Sequence, residues 1–344
     1  MKMIKKGLGV AVATLAQVVA ATAVNAADYP SVTLKYALYF SENIPQAKVL
    51  KWWGNELEER SGGNIKVQFF WSQTLGKSTE LLELVGQGAV ELSSPAPAYY
   101  ASKLPLVNVH QLPMIFPSNA AAQRTAEEMV AVPGVVEEHD RNNVVPVLWT
   151  SLPTYHVLCT KKIETLADFS GAKMRSYGEY VPKLWDSLDA VPVTVLAPEI
   201  YEGLQRGNID CSYLPDDFAY AYKLHEVADY YIDLNFGAIS GWPTYVNKDL
   251  WDGWSDEVHA LFAEVGAEAA AMDRETVHQA GEDAKAKFLE AGLELVEFTE
   301  TEKVYETAPD FLEVWIAEMG SKGLGDAARE VAAVVREQVA SEAN

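Results

Sequence analysis

The stretch from Ser255 to about Ala291 constrains this chain more than any other. It is rich in Ala and Glu, holds no Pro and few Gly, and carries an apolar stripe at Val258, Leu261, Phe262, Val265 and Met272. Apolar residues at that spacing share one face of an α-helix, so the pattern predicts one long helix, with Gly281 as a candidate kink. At about 1.5 Å per residue, such a helix is longer than a small domain is wide. A helix that long can span two domains as a strut.

The first 26 residues carry a different signal. Lys2, Lys5 and Lys6 precede a run of apolar and small residues from Gly7 to Ala21, and Val24-Asn25-Ala26 supplies a small-residue cleavage pattern. This reads as a secretory signal peptide cut after Ala26, which places the mature chain in the periplasm. The run is short for a bilayer span, and no later stretch approaches the roughly 18 apolar residues of a transmembrane helix. Removing those three lysines from 27 basic residues leaves 24 against 49 acidic ones, a formal charge of −25. Such a surface repels phosphate backbones and anionic lipid, so nucleic acid is not an expected partner. An anionic ligand would have to be attracted by a local charge. Cys159 and Cys211 are the only cysteines, and their spacing fits no metal site. In an exported protein they are either a disulfide or two buried thiols.

The remaining chain, roughly 318 residues, is long enough for two domains. No low-complexity linker separates them, so short crossings must join them. Val32 to Tyr39 reads as a strand, and Ala47, Leu50, Trp53 and Leu57 as a helix face that ends at Ser61-Gly62-Gly63. Ile65, Val67, Phe69 and Trp71 alternate as a strand, Leu81 to Val85 forms a helix, and Val144 to Trp149 is again a strand. A second series follows: a capping box at Thr165-Leu166-Ala167-Asp168, a strand at Ala172 to Arg175, and a helix through Val181 and Leu188. Strands at Val191 to Val195 and Ile209 to Tyr213 flank a helix beginning at Pro198. Short strands alternating with helices predict parallel α/β sheets.

Catalytic signatures are missing from the sequence. There is no phosphate-binding G-x-x-x-x-G-K-[ST], no G-x-S-x-G, no H-E-x-x-H and no C-x-x-C. The histidines at 110, 139, 156, 225, 259 and 278 are scattered, without a metal-ligand partner at i+3 or i+4. No catalytic residue, metal or cofactor is therefore expected, and an enzyme is the remote alternative.

Five segments together resemble the solute-binding component of tripartite ATP-independent periplasmic (TRAP) transporters. Glu58 to Val67 is similar to the family's "E-x-S-G-G-x-I-x-V" turn, and Ser72-Gln73-Thr74-Leu75-Gly76 to its "S-Q-L-G". Gln111-Leu112-Pro113-Met114-Ile115-Phe116 looks like "L-P-F-L-F", and Leu166 to Arg175 resembles "L-x-D-L-K-G-x-K-x-R". Pro198 to Asp210 resembles "E-x-Y-x-A-L-Q-x-G-x-x-D-G". The resemblance implies a two-domain α/β periplasmic binding protein fold, with a ligand cleft between the domains and the long helix running along both. The expected division is 27–152 plus 241–280 against 153–240 plus 281–344. The implied partners are a small organic acid and the transporter's membrane subunits, with the chain acting as a monomer; a solute-binding protein of another importer or sensor system is the nearer alternative.

The resemblance also implies that Arg175 anchors the ligand's carboxylate, a role that suits a planar, two-pronged donor. The bland alternative is a surface arginine in an acidic protein, paired to a neighbouring carboxylate. Positions that are polar in the sialic-acid-binding branch are here Ala96, Tyr99, Tyr155 and Leu214, and Cys211 replaces a glycine, so a sialic acid is not expected. Gly241-Trp242-Pro243-Thr244 lacks the carboxylate of a metal-using "G-W-x-E" branch. Tyr39, Phe40, Tyr99, Tyr155, Tyr177, Tyr213 and Trp242 are candidates for an aromatic cleft wall, though each alone is as readily a core residue. Asp216 or Asp217 could receive an amine or hydroxyl of a zwitterionic ligand, or belong to a solvated loop.

Overall fold

The structure, a computed structural model, describes residues 29–342; the expected signal peptide lies outside the described residues. Two sheets organise the chain. The first has five strands in the spatial order Ile65–Phe70, Val32–Ala37, Leu92–Ser93, Ile239–Asn247 and Val144–Leu152. Its first three strands are parallel, and Ile239–Asn247 runs antiparallel to both of its neighbours. The second has Glu294–Glu297, Tyr230–Asp233, Tyr155–Cys159 and Leu214–Pro215 in that order. Beside it lies the parallel pair Lys173–Ser176 and Val191–Thr194. Cys211 joins the two by bridging to both Cys159 and Met174. The expected strand over Ile209 to Tyr213 thus contracts to this single bridging residue and a short strand at Leu214–Pro215, because the segment is leaving one strand for another. Cys159 and Cys211 form a disulfide, with their Cα atoms 4.1 Å apart.

The chain passes from the first lobe to the second through Pro153-Thr154, and returns through Leu234 to Ala238. Short crossings of this kind leave little slack, and the long helix Asp256–Glu290 supplies the third connection. It packs on the helix Pro45–Arg60 and strand Val144–Leu152 of the first lobe, and on the helix Asp216–Ala221 of the second. Its glycines serve close approach. A Cβ on Gly266 would lie 2.7 Å from the Val147 carbonyl oxygen, and one on Gly281 would lie 3.0 Å from the Pro153 ring. The helix continues through Gly281 without interruption. Met272 departs from the expected stripe and is exposed. The buried face turns along the helix, from Val258, Leu261, Phe262 and Val265 to Val277, Ala284 and Phe288, as it passes from one lobe to the other. The C-terminal helix Gly325–Ser341 packs on Asn119–Met129 and Pro133–Arg141 of the first lobe. Its neighbour Phe311–Ser321 touches both lobes, through Trp315 to the Pro105 carbonyl (3.0 Å) and Glu318 to the Tyr180 hydroxyl (2.8 Å).

Where the strut meets the first crossing, a polar cluster is buried. Asp273 accepts hydrogen bonds from the Ser151 amide (2.6 Å) and hydroxyl (2.7 Å). Gln46 donates to the Ser151 carbonyl (3.1 Å) and, across the lobes, to Asp217 (3.0 Å). Burial pushes both carboxyls up from 3.8 to about 7; their hydrogen bonds oppose the shift, and mutual repulsion with Asp217 adds to it at Asp273. Between about pH 4 and pH 7 the folded state therefore holds protons that the unfolded chain has released. The contribution of Asp273 to stability is complete below about pH 4 and is lost as pH rises towards about 7. Asn at this position still offers an oxygen to Ser151 but carries no charge. Thermal melts of Asp273→Asn should gain on wild type as pH rises through that window, by about 4 kcal/mol or several degrees, and the gain should be constant above it. A gain that shrinks with rising pH would contradict this.

Candidate ligand-binding site

Parallel strands bring their carboxyl ends, where ligands commonly sit in α/β folds, to the seam between the lobes. Tyr39 follows the end of Val32–Ala37, Ala96 and Tyr99 follow Leu92–Ser93, and Arg175 and Tyr177 lie at the end of Lys173–Ser176. Ile239–Asn247 runs the other way, so its beginning reaches the same place. Its pairing slips between Ser240 and Pro243, where a proline could not have donated a ladder hydrogen bond. The Trp242 amide donates instead to the Thr150 hydroxyl (3.0 Å), and this bulge places the indole at the seam.

The resulting cavity is lined from the first lobe by Tyr39, Ala96, Tyr99, Gln111, Leu152, Ile239 and Trp242, and from the second by Tyr155, Arg175, Tyr177, Ala197, Leu214, Pro215 and Phe218. It is narrow, about 20 Å³, so a ligand enters only if the lobes part or aromatic side chains turn. Tyr99 already crosses the seam, its hydroxyl accepting from the Ala197 amide (3.3 Å).

Arg175 is 2% exposed. Its Nε donates to the Val195 carbonyl (3.0 Å) and its Nη1 to the Tyr213 carbonyl (2.8 Å), while the guanidinium lies 4.2 Å from the Tyr177 ring centre. Among the described residues no carboxylate pairs with it, and Nη2 makes no hydrogen bond within the protein. The group is thus held rigidly by neutral acceptors with donor capacity left over, and it lines the cavity. Its backbone is held as firmly: the amide donates to the Cys211 carbonyl (2.9 Å), and the carbonyl accepts from the Trp185 indole (2.9 Å). The Tyr177 hydroxyl is buried beside Arg175 and next to the Tyr155 hydroxyl. Burial pushes this phenol up to about 12, and raises Tyr39 and Tyr155 well above the usual tyrosine range, so all three remain neutral donors.

Of the nine residues expected at the site, six line the cavity: Arg175, Tyr39, Tyr99, Tyr155, Tyr177 and Trp242. Phe40 and Tyr213 stand behind the wall. Phe40 stacks on Trp242 with ring centres 4.4 Å apart, and Tyr213 backs Tyr155 at 4.7 Å and Tyr177 at 6.2 Å. Asp216 lies elsewhere. It accepts from the Tyr231 hydroxyl (2.8 Å), sits 3.1 Å from His156 Nδ1, and lines a separate cavity with His156 and Asn235. Gln111 and Phe218 were not legible as site residues, although Gln111 opens one of the motifs. Among the described residues no cluster of His, Cys, Asp or Glu could hold a metal ion.

Comparison with known proteins agrees with this architecture. Residues 36–308 match the family described as bacterial extracellular solute-binding protein, family 7. The chain belongs to this family. The 2,3-diketo-L-gulonate-binding periplasmic protein of Escherichia coli is 23% identical over 265 residues, which is 77% of this chain and 80% of that one. A TRAP solute-binding protein from Rhodoferax ferrireducens, in complex with copurified benzoate, superposes with a TM-score of 0.82 at 20% identity. That match covers 91% of this chain and 98% of the other. A marine metagenome TRAP protein specific for aromatic acid ligands, in complex with 3-hydroxybenzoate, also gives 0.82 at 20% identity, covering 91% and 99%. At these identities the structural likeness establishes the fold, that of two-domain TRAP solute-binding proteins with a long helix. Membership of the family makes the chain an extracellular solute-binding protein.

Proposed function

We propose that the ligand is an aromatic monocarboxylate, captured by domain closure in the periplasm and delivered without chemical change. One observation carries this reading: among the described residues Arg175 is the one cationic side chain lining the cavity, whose other walls are mainly aromatic and aliphatic, with Gln111 and tyrosine hydroxyls as the polar groups. A dicarboxylate would leave its second charge without a partner there, and a sugar acid would leave several hydroxyls against hydrocarbon, each at a cost of about 1–3 kcal/mol. A flat ring between Tyr39, Tyr99, Trp242 and Phe218 meets neither penalty. The aromatic-acid complexes of the two structural neighbours support the same class. The reading takes residues 27–152 plus 241–280 and 153–240 plus 281–344 as the closing domains, with the C-terminal helices across the seam, and cleavage of the leader after Ala26.

A thermal-shift screen tests it. Benzoates should raise Tm by several degrees at millimolar concentration, as mass action requires for a micromolar ligand. Succinate, glucuronate and neutral aromatics should not. A larger shift with a dicarboxylate or a uronate would overturn the assignment, and turnover of the stabilising compound would overturn the binding-protein reading.

A further inference from the structure

Gln111 faces Arg175's cavity from the opposite lobe, and its orientation is decided by its neighbours. Its Nε2 donates to the Ser240 carbonyl (2.9 Å), with the Gly241 carbonyl at 3.4 Å and His110 Nδ1 at 3.2 Å. Turning the amide over would set its oxygen against two carbonyl oxygens, so the NH₂ group is fixed on that side. The Oε1 atom is then the free end. It makes no hydrogen bond within the protein, and it is not among the polar atoms sealed in the core. The residue itself is held still. It ends the short helix Val107–Gln111, whose first turn is capped by the buried Glu138 carboxylate accepting from the Leu106 (2.8 Å) and Val107 (2.9 Å) amides. Its anchor on Ser240-Gly241 is the same bulge that places Trp242.

The other polar side chains around the cavity cannot make the distinction that Gln111 makes. The hydroxyls of Tyr39, Tyr99, Tyr155 and Tyr177 turn to donate or accept, while the Arg175 guanidinium and the Trp242 indole only donate. The Gln111 oxygen only accepts. We infer that Gln111 sets specificity at the end of the ligand remote from the carboxylate, selecting aromatic acids that carry a hydrogen-bond donor there, ring-hydroxylated benzoates above all. This rests on the aromatic-monocarboxylate reading. A ligand without the donor leaves a desolvated acceptor facing hydrocarbon when the cleft closes, and sites built on such a pairing discriminate strongly against the analogue that lacks it.

The test is a set of calorimetric titrations of ligand-stripped protein with benzoate, 3- and 4-hydroxybenzoate and the matching methoxybenzoates. A methoxy group keeps the acceptor oxygen of a hydroxyl but replaces its proton with a methyl group. At least one hydroxybenzoate should bind about tenfold tighter than benzoate, and its methoxy partner no tighter than benzoate. In Gln111→Met, with folding checked by circular dichroism, the ratio of hydroxybenzoate to benzoate affinity should collapse to within about twofold. Equal affinity of the hydroxy and methoxy acids in wild type, or an unchanged ratio in Gln111→Met, would overturn the role of Gln111 and leave the aromatic-acid reading standing. Failure of every acid in the series to bind would overturn both.

Discussion

Arg175→Ala is expected to weaken binding of a benzoate by at least about 100-fold, the scale of losing a desolvated, charge-assisted pair. The size follows from how the guanidinium is held. Nε and Nη1 are committed to the Val195 and Tyr213 carbonyls, and the Tyr177 ring lies against its face, so no reorganisation is needed to receive a carboxylate. Within a chain of formal net charge −22, this buried cation supplies the local attraction that the global field opposes. Arg175→Lys should recover part of the affinity but not all. A single ammonium cannot hold two carbonyls and a carboxylate in the same geometry. Titration calorimetry checks both variants, and a Kd within threefold of wild type for Arg175→Ala would remove the anchor from the account. Removing the side chain also strands two carbonyl groups, so Tm should be recorded beside affinity to separate lost binding from lost folding.

The second large effect concerns the disulfide. Cys159–Cys211 closes a loop of 52 residues that contains Arg175 and the strand pair around it. A crosslink of that span stabilises by about 2–4 kcal/mol. Reduction, or Cys159→Ser, should therefore lower Tm by roughly 5–15 °C. Affinity should fall as well, because the Arg175 amide is hydrogen-bonded to the Cys211 carbonyl and the anchor loses its support when that strand loosens. Melting curves with and without reductant decide the point, and superimposable curves would contradict it.

Much of this architecture could be read before any coordinates. The strut was legible because 35 helical residues without proline leave no other solution, and the strand–helix alternation fixed the α/β class. Arg175 and its aromatic surroundings were legible through motifs and residue type. What the residues could not show is direction. Phe40 and Trp242 are equally apolar, but a bulge opposite Thr150 turns one to the cavity and leaves the other stacked behind it. Asp216 and Asp217 are adjacent in sequence, yet one pairs with His156 and Tyr231 and the other with Gln46. Met272 continues the apolar stripe of the strut and is exposed, because the buried face rotates where the helix changes lobes. Gln111 escaped notice for a related reason: a lone glutamine carries no signal until the carbonyls that orient it are in place.

The central claim, that one buried arginine in an aromatic cleft captures an acid by its charge, is tested most directly by titrating ligand-stripped wild-type protein with benzoate and with benzamide. The two share a ring and nearly a shape, and differ in charge. Benzoate should bind one to one, and benzamide at least about 100-fold more weakly. Equal affinity for the two, or binding of succinate or glucuronate where benzoate fails, would contradict the account.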